Sequence, residues 1–358
     1  MLIRPFDGSL RDAEGLLAVD RGTFAESPYN ADEVIHLLTR GEQRAWLAIV
    51  EGEVTGFVTA FPTHTLYGRN WEVDLVAVQP ASQGQGIATE LIKAAVEGTG
   101  GRSLDMARAV VATDNLASQR AFTKAGFTPD ETVCDLLLYE IRGFAPRPLD
   151  SGSVTVRDLA LSSQEAETVL RLGQGLTLRS NRSQIPSRGG FHACPELVLR
   201  EACPEPGRRV EGRSQRAASS RAWEPALLRD HDLLRPDDVL ALASRQANEI
   251  LVAVRKEEIV GFAELLYVET LLYRGIWLES VVAQGADREV QAALISEAVE
   301  RAKRKRLDEI GCLVRTRKRR MAEGAERARN LENHVLREAL VGQGFGVVNE
   351  YYIFRRDL

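Results

Sequence analysis

Trp71-Glu-Val-Asp-Leu-Val-Ala-Val78, Gln79-Pro-Ala-Ser82, Gln83-Gly-Gln-Gly-Ile-Ala88 and Thr89-Glu-Leu-Ile-Lys-Ala-Ala-Val-Glu97 follow one another without a break. The first block is apolar and β-branched, and it reads as a strand. The last carries apolar residues at helical spacing: Ile87, Leu91, Ile92, Ala95 and Val96. Between them lies a glycine-containing loop. Gly84 and Gly86 allow a close backbone approach, and the first amides of the helix have no intrahelical partner. Such a strand–loop–helix is suited to holding phosphate. It is not a Walker A loop, since no Gly-Lys-Ser/Thr follows, and it is not the Gly-x-Gly-x-x-Gly dinucleotide turn.

Two further features extend the pattern. Glu72 stands on the strand, eleven residues ahead of Gln83. Downstream, Asn115-Leu-Ala-Ser-Gln-Arg-Ala-Phe-Thr-Lys-Ala-Gly126-Phe127 opens on an Asn and ends in Lys-x-Gly-Phe. Gln83-x-x-Gly86-x-Ala88 together with this segment resembles the two signatures of the GCN5-related N-acetyltransferases (GNAT), over about residues 2–142. The resemblance implies an α/β fold of the α+β kind, with a mixed, mostly antiparallel sheet flanked by helices. It also implies acetyl-coenzyme A as cosubstrate. By it, Val76, Ala77 and Val78 pair with the pantetheine arm, and Gln83, Gly84, Gln85, Gly86, Ile87, Ala88 and Thr89 hold the pyrophosphate. Asn115 orients the coenzyme, and Phe122 packs against it.

Outward from these signatures the chain gives a regular series. Leu2–Pro5 reads as a strand, and Asp12–Phe24 and Ala31–Arg40 read as helices, the second capped by Asn30. Arg44–Val50 and Val54–Pro62 read as strands joined at Glu51-Gly52. Leu104–Ala112 is a strand, Asn115–Ala125 a helix stopped by Gly126, and Val133–Ile141 a closing strand. In the family, the segment between the first two helices walls the acceptor site. Phe24 and Tyr29 are therefore candidate contacts, although core and loop packing accounts for them as well.

The series then begins again. Ile250-Leu-Val-Ala-Val-Arg-Lys-Glu-Glu-Ile-Val-Gly261-Phe262 lies over Ala45-Trp-Leu-Ala-Ile-Val-Glu-Gly-Glu-Val-Thr-Gly56-Phe57 without a gap. Leu272-Tyr273 with Trp277 matches Leu66-Tyr67 with Trp71, and Asn333 stands twelve residues before Phe345 as Asn115 does before Phe127. The chain reads as a tandem duplication of one fold. Residues 1–145 form the expected catalytic domain. Residues 152–358 form a degenerate copy, with an Arg-, Ser-, Gly- and Pro-rich insertion at about 180–223 expected to be disordered. At the second phosphate loop, Gln284-Gly-Ala-Asp287-Arg-Glu289 sets two carboxylates where a phosphate would lie, and they would repel it.

Bulk composition narrows the function. The 358 residues are 44% hydrophobic and 27% charged, an ordinary globular composition, and no run is long and apolar enough to span a bilayer. A cytoplasmic location is the expectation. Four cysteines do not make a disulfide framework, and the Cys194–Cys203 gap with His192 fits no zinc knuckle, so no metal is expected. Net charge is −5; residues 1–150 carry 13 Lys+Arg against 21 Asp+Glu. An acidic catalytic half would attract a cationic acceptor. Arg301 to Arg306 and Arg315 to Arg320 are dense basic clusters without interleaved aromatics, which read as solvated faces rather than a base-stacking surface.

The chemistry implied is removal of a proton from an ammonium, then attack on a thioester. A typical alkylamine holds its proton to about pH 10.4, so a base is needed. Glu72 and Asp74 alternate onto one face of their strand. Glu72 is the first candidate because it matches the family's frequent base, and Asp74 is the second, as base or clamp. A backbone amide near Val76–Val78 would stabilise the oxyanion. The family's proton-donating tyrosine is replaced by Phe122, which has no proton to give. The acceptor is an amine-bearing small molecule or a protein N-terminus. The competing classes are a non-catalytic acyl-coenzyme A sensor, which the missing tyrosine permits, and a polyanion-binding adaptor using the basic clusters.

Overall fold

The computed structural model describes residues 1–24, 29–99, 103–141, 154–181, 235–318 and 325–358. The expected insertion falls, beyond Asn181, outside them, as do Cys194, Cys203 and His192.

In the first half, β1 (Leu2–Pro5) leads to helices α1 (Leu10–Thr23) and α2 (Ala31–Arg40). Ser9 caps α1 by accepting from the Asp12 amide. Asn30 and Glu33 form a capping box on α2, which satisfies two otherwise orphaned donors reciprocally. Strands β2 (Arg44–Val50), β3 (Glu53–Thr65) and β4 (Gly68–Val78) form an antiparallel meander. Then come α3 (Ile87–Glu97), β5 (Met106–Ala112), α4 (Leu116–Lys124) and β6 (Thr128–Glu140). Helices α1 and α2 cover one face of the sheet, over Leu47, Phe57, Leu75 and Ala77. Helix α3 covers the other, over Trp71, Val73, Val78 and Ala109.

The second half repeats this order. It runs β7 (Thr155–Asp158), α5 (Ser163–Asn181), α6 (Pro236–Ala243), β8 (Asn248–Arg255), β9 (Glu258–Glu269), β10 (Arg274–Ala283), α7 (Arg288–Arg304), β11 (Glu309–Lys318), α8 (Ala325–Gly342) and β12 (Gly346–Asp357). Gly56 and Gly261 hold equivalent register positions. A Cβ at either would meet a carbonyl oxygen of the neighbouring strand, at 2.9 and 2.6 Å.

The twelve strands of the described residues form one sheet, ordered β1-β2-β3-β4-β5-β12-β6-β11-β10-β9-β8-β7. The halves have exchanged their last strands. β5 pairs with β12 from the second half, β11 pairs with β6 from the first, and β12 and β6 pair with each other at the centre. The exchange reaches the cores. Leu137 and Tyr139 of β6 are buried with the second half's α7 residues, and Phe354 of β12 is buried with Phe122 and Phe127. Each such side chain contributes about 1.5–3 kcal/mol that is lost if its strand is removed.

The hairpins are exchanged too. Leu66, at the β3–β4 turn, is buried among the α5 and α6 residues. Its counterpart Leu271, at the β9–β10 turn, is buried against α1 and α2. The register also corrects the sequence alignment by one residue. Trp71 pairs with Ala107, and its equivalent in β10 is Ile276, paired with Ile310; Trp277 therefore answers to Glu72, not to Trp71. A one-residue slip moves a strand residue to the opposite face. Accordingly Ile276 lies in the core with α7 residues, and Trp277 does not.

Candidate functional site

Strand β4 does not run straight past its neighbours. Ala60 pairs with Val73 and Val58 with Val76, so Asp74 and Leu75 both stand opposite Thr59. This β-bulge resets the alternation: Trp71 and Val73 face α3 before it, and Val78 faces α3 after it, while Leu75 and Ala77 face α1 and α2. On its other edge, β4 pairs with β5 only from Asn70–Glu72 to Met106–Arg108. The strands then part, and β5 continues with β12. Among the described residues, no strand pairs with the edge of Val76–Val78 that faces away from β3, the place expected for the pantetheine arm.

At the end of β4 the chain turns through Pro80–Ser82 and Gln83 into α3. Gly84 and Gly86 hold φ of 77° and 82°, in the left-handed region that favours glycine. Gly86 is the N-cap and offers no side-chain acceptor to the first amides of α3. Gln83 through Gly86 are exposed, whereas Ile87 and Thr89 are buried. The second half has built the same corner differently. Asp287 is the N-cap of α7, and its carboxylate accepts from the amides of Glu289 and Val290. Arg255 then pairs with Asp287 at 2.7 Å and with Glu289 at 2.8 Å. A carboxylate already occupies the anion position there.

The two candidate bases have different surroundings. Glu72 is buried; the Thr63 hydroxyl donates to it at 2.6 Å, and Arg108 Nε meets both of its oxygens at 2.9 Å. The same guanidinium reaches Glu279 of β10 at 2.8 and 3.3 Å. Glu279 is the bulged residue of β10, between Leu278 and Ser280, and so stands where Asp74 stands in β4. Arg108 thus occupies the second half's equivalent carboxylate. Among the described residues, no cation pairs with Asp74. Burial pushes its carboxyl up to about 6, and the charge on Glu72 acts in the same direction. The Gln43 amide, which donates to it at 3.0 Å, and nearby Thr270 partly offset this. Asp74 keeps part of its surface exposed.

Of the other expected site residues, Asn115 is exposed and caps α4 through the Ser118 amide. Phe122 is in the core, its ring 5.1 Å from Phe127 and 5.9 Å from Phe354. Phe24 follows the last residue of α1. The Tyr29 hydroxyl donates to the Thr270 carbonyl, tying the α1–α2 segment to the second half. The basic run at the end of α7 is ion-paired: Arg301 to Asp158, Glu249 and Glu297, Lys303 to Glu300, Arg304 to Glu297 and Lys305 to Glu249. Of the second basic cluster, residues 319 and 320 lie outside the described residues. Gln43, Arg108, Thr270 and Glu279 were not singled out from sequence. Three of these four are far from the signatures along the chain, and only the strand exchange and the hairpins bring them together. Among the described residues, no group of His, Cys, Asp and Glu is arranged to hold a metal, and no helix is long and apolar enough to cross a membrane.

Two copies of one helix-flanked sheet, each with a bulged strand running into a turn and a helix, give a tandem fold like that of solved GNAT structures. Residues 14–127 match the model of the acetyltransferase (GNAT) family. Mycothiol acetyltransferase of Amycolatopsis mediterranei is 32% identical over 134 residues, 34% of this chain and 44% of that protein. The enzyme of the same name from Thermobispora bispora is 29% identical over 133 residues, 33% of this chain and 43% of that protein. The match therefore spans less than half of either relative. A GCN5-related N-acetyltransferase from Sphaerobacter thermophilus superposes with a TM-score of 0.53 at 14% identity, over 99% of this chain and 95% of that one. That likeness is one of fold.

Proposed function

We propose that the first half transfers the acetyl group of acetyl-coenzyme A to an amine. The observation that carries this reading is the difference between two corners of one fold: the amides at the start of α3 have no side-chain cap beyond Gly86, and those of α7 are already taken by Asp287. An unfilled helix N-terminus with two left-handed glycines favours a diphosphate. The pantetheine arm then lies along the parted edge of β4, and the thioester meets the bulge.

Asp74 fits the role of base better than Glu72 does. A carboxyl titrating near 6 is ionised at neutral pH and still basic enough to take a proton in the transition state. Glu72 is committed to Arg108 and Thr63, and its part is to keep negative charge beneath the acceptor ammonium. The coenzyme thiolate leaves with a proton from solvent, since Phe122 has none. The acceptor is an amine-bearing small molecule or a protein N-terminus, in a cytoplasmic setting.

Calorimetry of the full chain with acetyl-coenzyme A, followed by thiol release with a panel of amines, tests the proposal. One coenzyme bound per chain and amine-dependent release are expected. Binding without release from any amine would favour an acyl-coenzyme A sensor instead. The two mycothiol acetyltransferase relatives favour a narrower second reading, mycothiol acetyltransferase-like chemistry. Their acceptor belongs in the panel.

A further inference from the structure

The β9–β10 hairpin of the second half lies against Asp74 of the first. Its turn presents three consecutive backbone amides, and each is spent on a side-chain oxygen. The Leu271 amide donates to Gln43 Oε1 at 3.1 Å. The Leu272 and Tyr273 amides donate to the Thr270 hydroxyl oxygen at 3.2 and 3.1 Å. These bonds fix what is left over. A threonine hydroxyl has one proton and two lone pairs. With both lone pairs engaged by amides, the hydroxyl closes the turn and sets the direction of the neighbouring Leu271 amide. A glutamine whose oxygen is held by an amide must turn its NH2 the other way. Gln43 Nε2 accordingly donates to Asp74 Oδ2 at 3.0 Å. Thr270 is 1% exposed and Gln43 is 2% exposed, so water does not compete for either. Tyr29 anchors the same turn from outside, through the Thr270 carbonyl.

The equivalent turn in the first half does not do this. Thr65, the counterpart of Thr270, accepts from the Tyr67 amide and donates to the Gly68 carbonyl. The Leu66 amide goes to Glu264. The second half's bulged carboxylate, Glu279, is held by Arg108 instead. The hairpin arrangement is thus specific to the centre with the open helix N-terminus.

We propose that Gln43 and the turn built on Thr270 position the first half's acceptor site: the second half, through the Leu271 amide of that turn, orients the Gln43 donor onto Asp74. The second half then completes a site it does not itself contain. This rests on Asp74 as the base. The groups facing Asp74 are Glu72 on its own strand, Gln43 at the start of β2 and Thr270 of the hairpin; of these only Glu72 is charged, and it is held by Arg108.

The test is a carbon-13 titration of aspartate carboxyls in the full chain, with the Asp74 signal assigned by its loss in Asp74→Asn. The Gln43 donor stabilises the carboxylate and the Thr270 turn holds that donor in place, so losing either raises the midpoint. Thr270→Val should move it upward from about 6 by half a pH unit or more, and Gln43→Glu, which adds a charge, should move it further. Thr270→Ser keeps the hydroxyl and should restore the wild-type midpoint, even if Thr270→Val lowers the melting temperature. A midpoint unchanged in Thr270→Val, or raised equally in Thr270→Ser, would overturn the proposal. Amine acetylation by Asp74→Asn at the wild-type rate would instead remove Asp74 as the base and leave the hairpin geometry standing.

Discussion

Gly86 and Asp287 occupy the same place in the two halves, the N-cap of the helix that follows the bulged strand, and only Asp287 fills it. One residue type separates a helix that offers its amides from a helix that answers them itself. Both are helices of ordinary length on the same sheet, so the difference in what they offer an anion lies in the cap. Gly86→Asp should reproduce the α7 corner in α3. Calorimetry of the full chain should then show acetyl-coenzyme A affinity reduced at least tenfold, which is about 1.4 kcal/mol. An aspartate tolerates the left-handed conformation better than most residues, so the melting temperature should change little. Tight binding by the variant would place the diphosphate elsewhere.

The proposal that Asp74 is the base gives the reaction an expected pH signature. The base must be ionised to act, and burial holds its carboxyl up to about 6. Activity should therefore be low below that value, rise through it and level off above it, giving an acid limb in kcat/KM near pH 6. Asp74→Asn should lower kcat by about 10²–10⁴-fold, the usual contribution of a positioned base. Glu72→Gln should cost less in kcat. A reversed order of the two effects would return Glu72 to the role the sequence first suggested.

The two signatures were legible in the sequence because a glycine loop and an Asn-led helix are local patterns whose physics is complete within a dozen residues. The repeat was legible for the same reason, as collinear strands with glycines at Gly56 and Gly261. Strand and helix limits agreed closely where caps and turns punctuate the chain, as at Asn30 and Gly126. What sequence could not supply was the partner of each element. The β-branched run of β5 shows that it is a strand; nothing in it says that β12, from more than two hundred residues later, lies beside it. Arg108 and Thr270 are unremarkable in the sequence, and their roles appear only once the exchange sets β10 and its hairpin against β4. Trp277 was matched to Trp71 on residue type, and the register moved it by one.

Among the described residues, Arg108 is the one cation that reaches both Glu72 and Glu279, and all three side chains are largely buried. Removing one partner of a buried ion network leaves the others uncompensated, typically at 3–5 kcal/mol. Arg108→Leu should thus destabilise the protein by about that amount in chemical denaturation. Adding Glu72→Gln and Glu279→Gln to it should recover most of the loss, because the uncompensated charges are then gone. If the triple variant is as unstable as the single one, the guanidinium stem matters for packing and not its charge.

The exchanged strands predict how the chain fails when cut. A fragment ending at residue 145 keeps α3 and its open loop but loses β12. The outer edge of β5, from Met106 to Ala112, then has no partner for its ladder, and an exposed edge strand is a template for aggregation. The Phe122–Phe127 pair also loses the Phe354 ring that packs against it. At the same time β6 projects without β11 or β12, exposing Leu137 and Tyr139, which are fully buried in the whole protein. The fragment should be aggregated or self-associated in sedimentation and should bind acetyl-coenzyme A poorly despite an intact loop. Co-expression with residues 152–358 should restore both solubility and binding, because the missing strands are supplied in trans. A monomeric, fully binding fragment would mean that β12 is dispensable to the first half, and that the central pairing of β6 with β12 joins two sheets already stable alone.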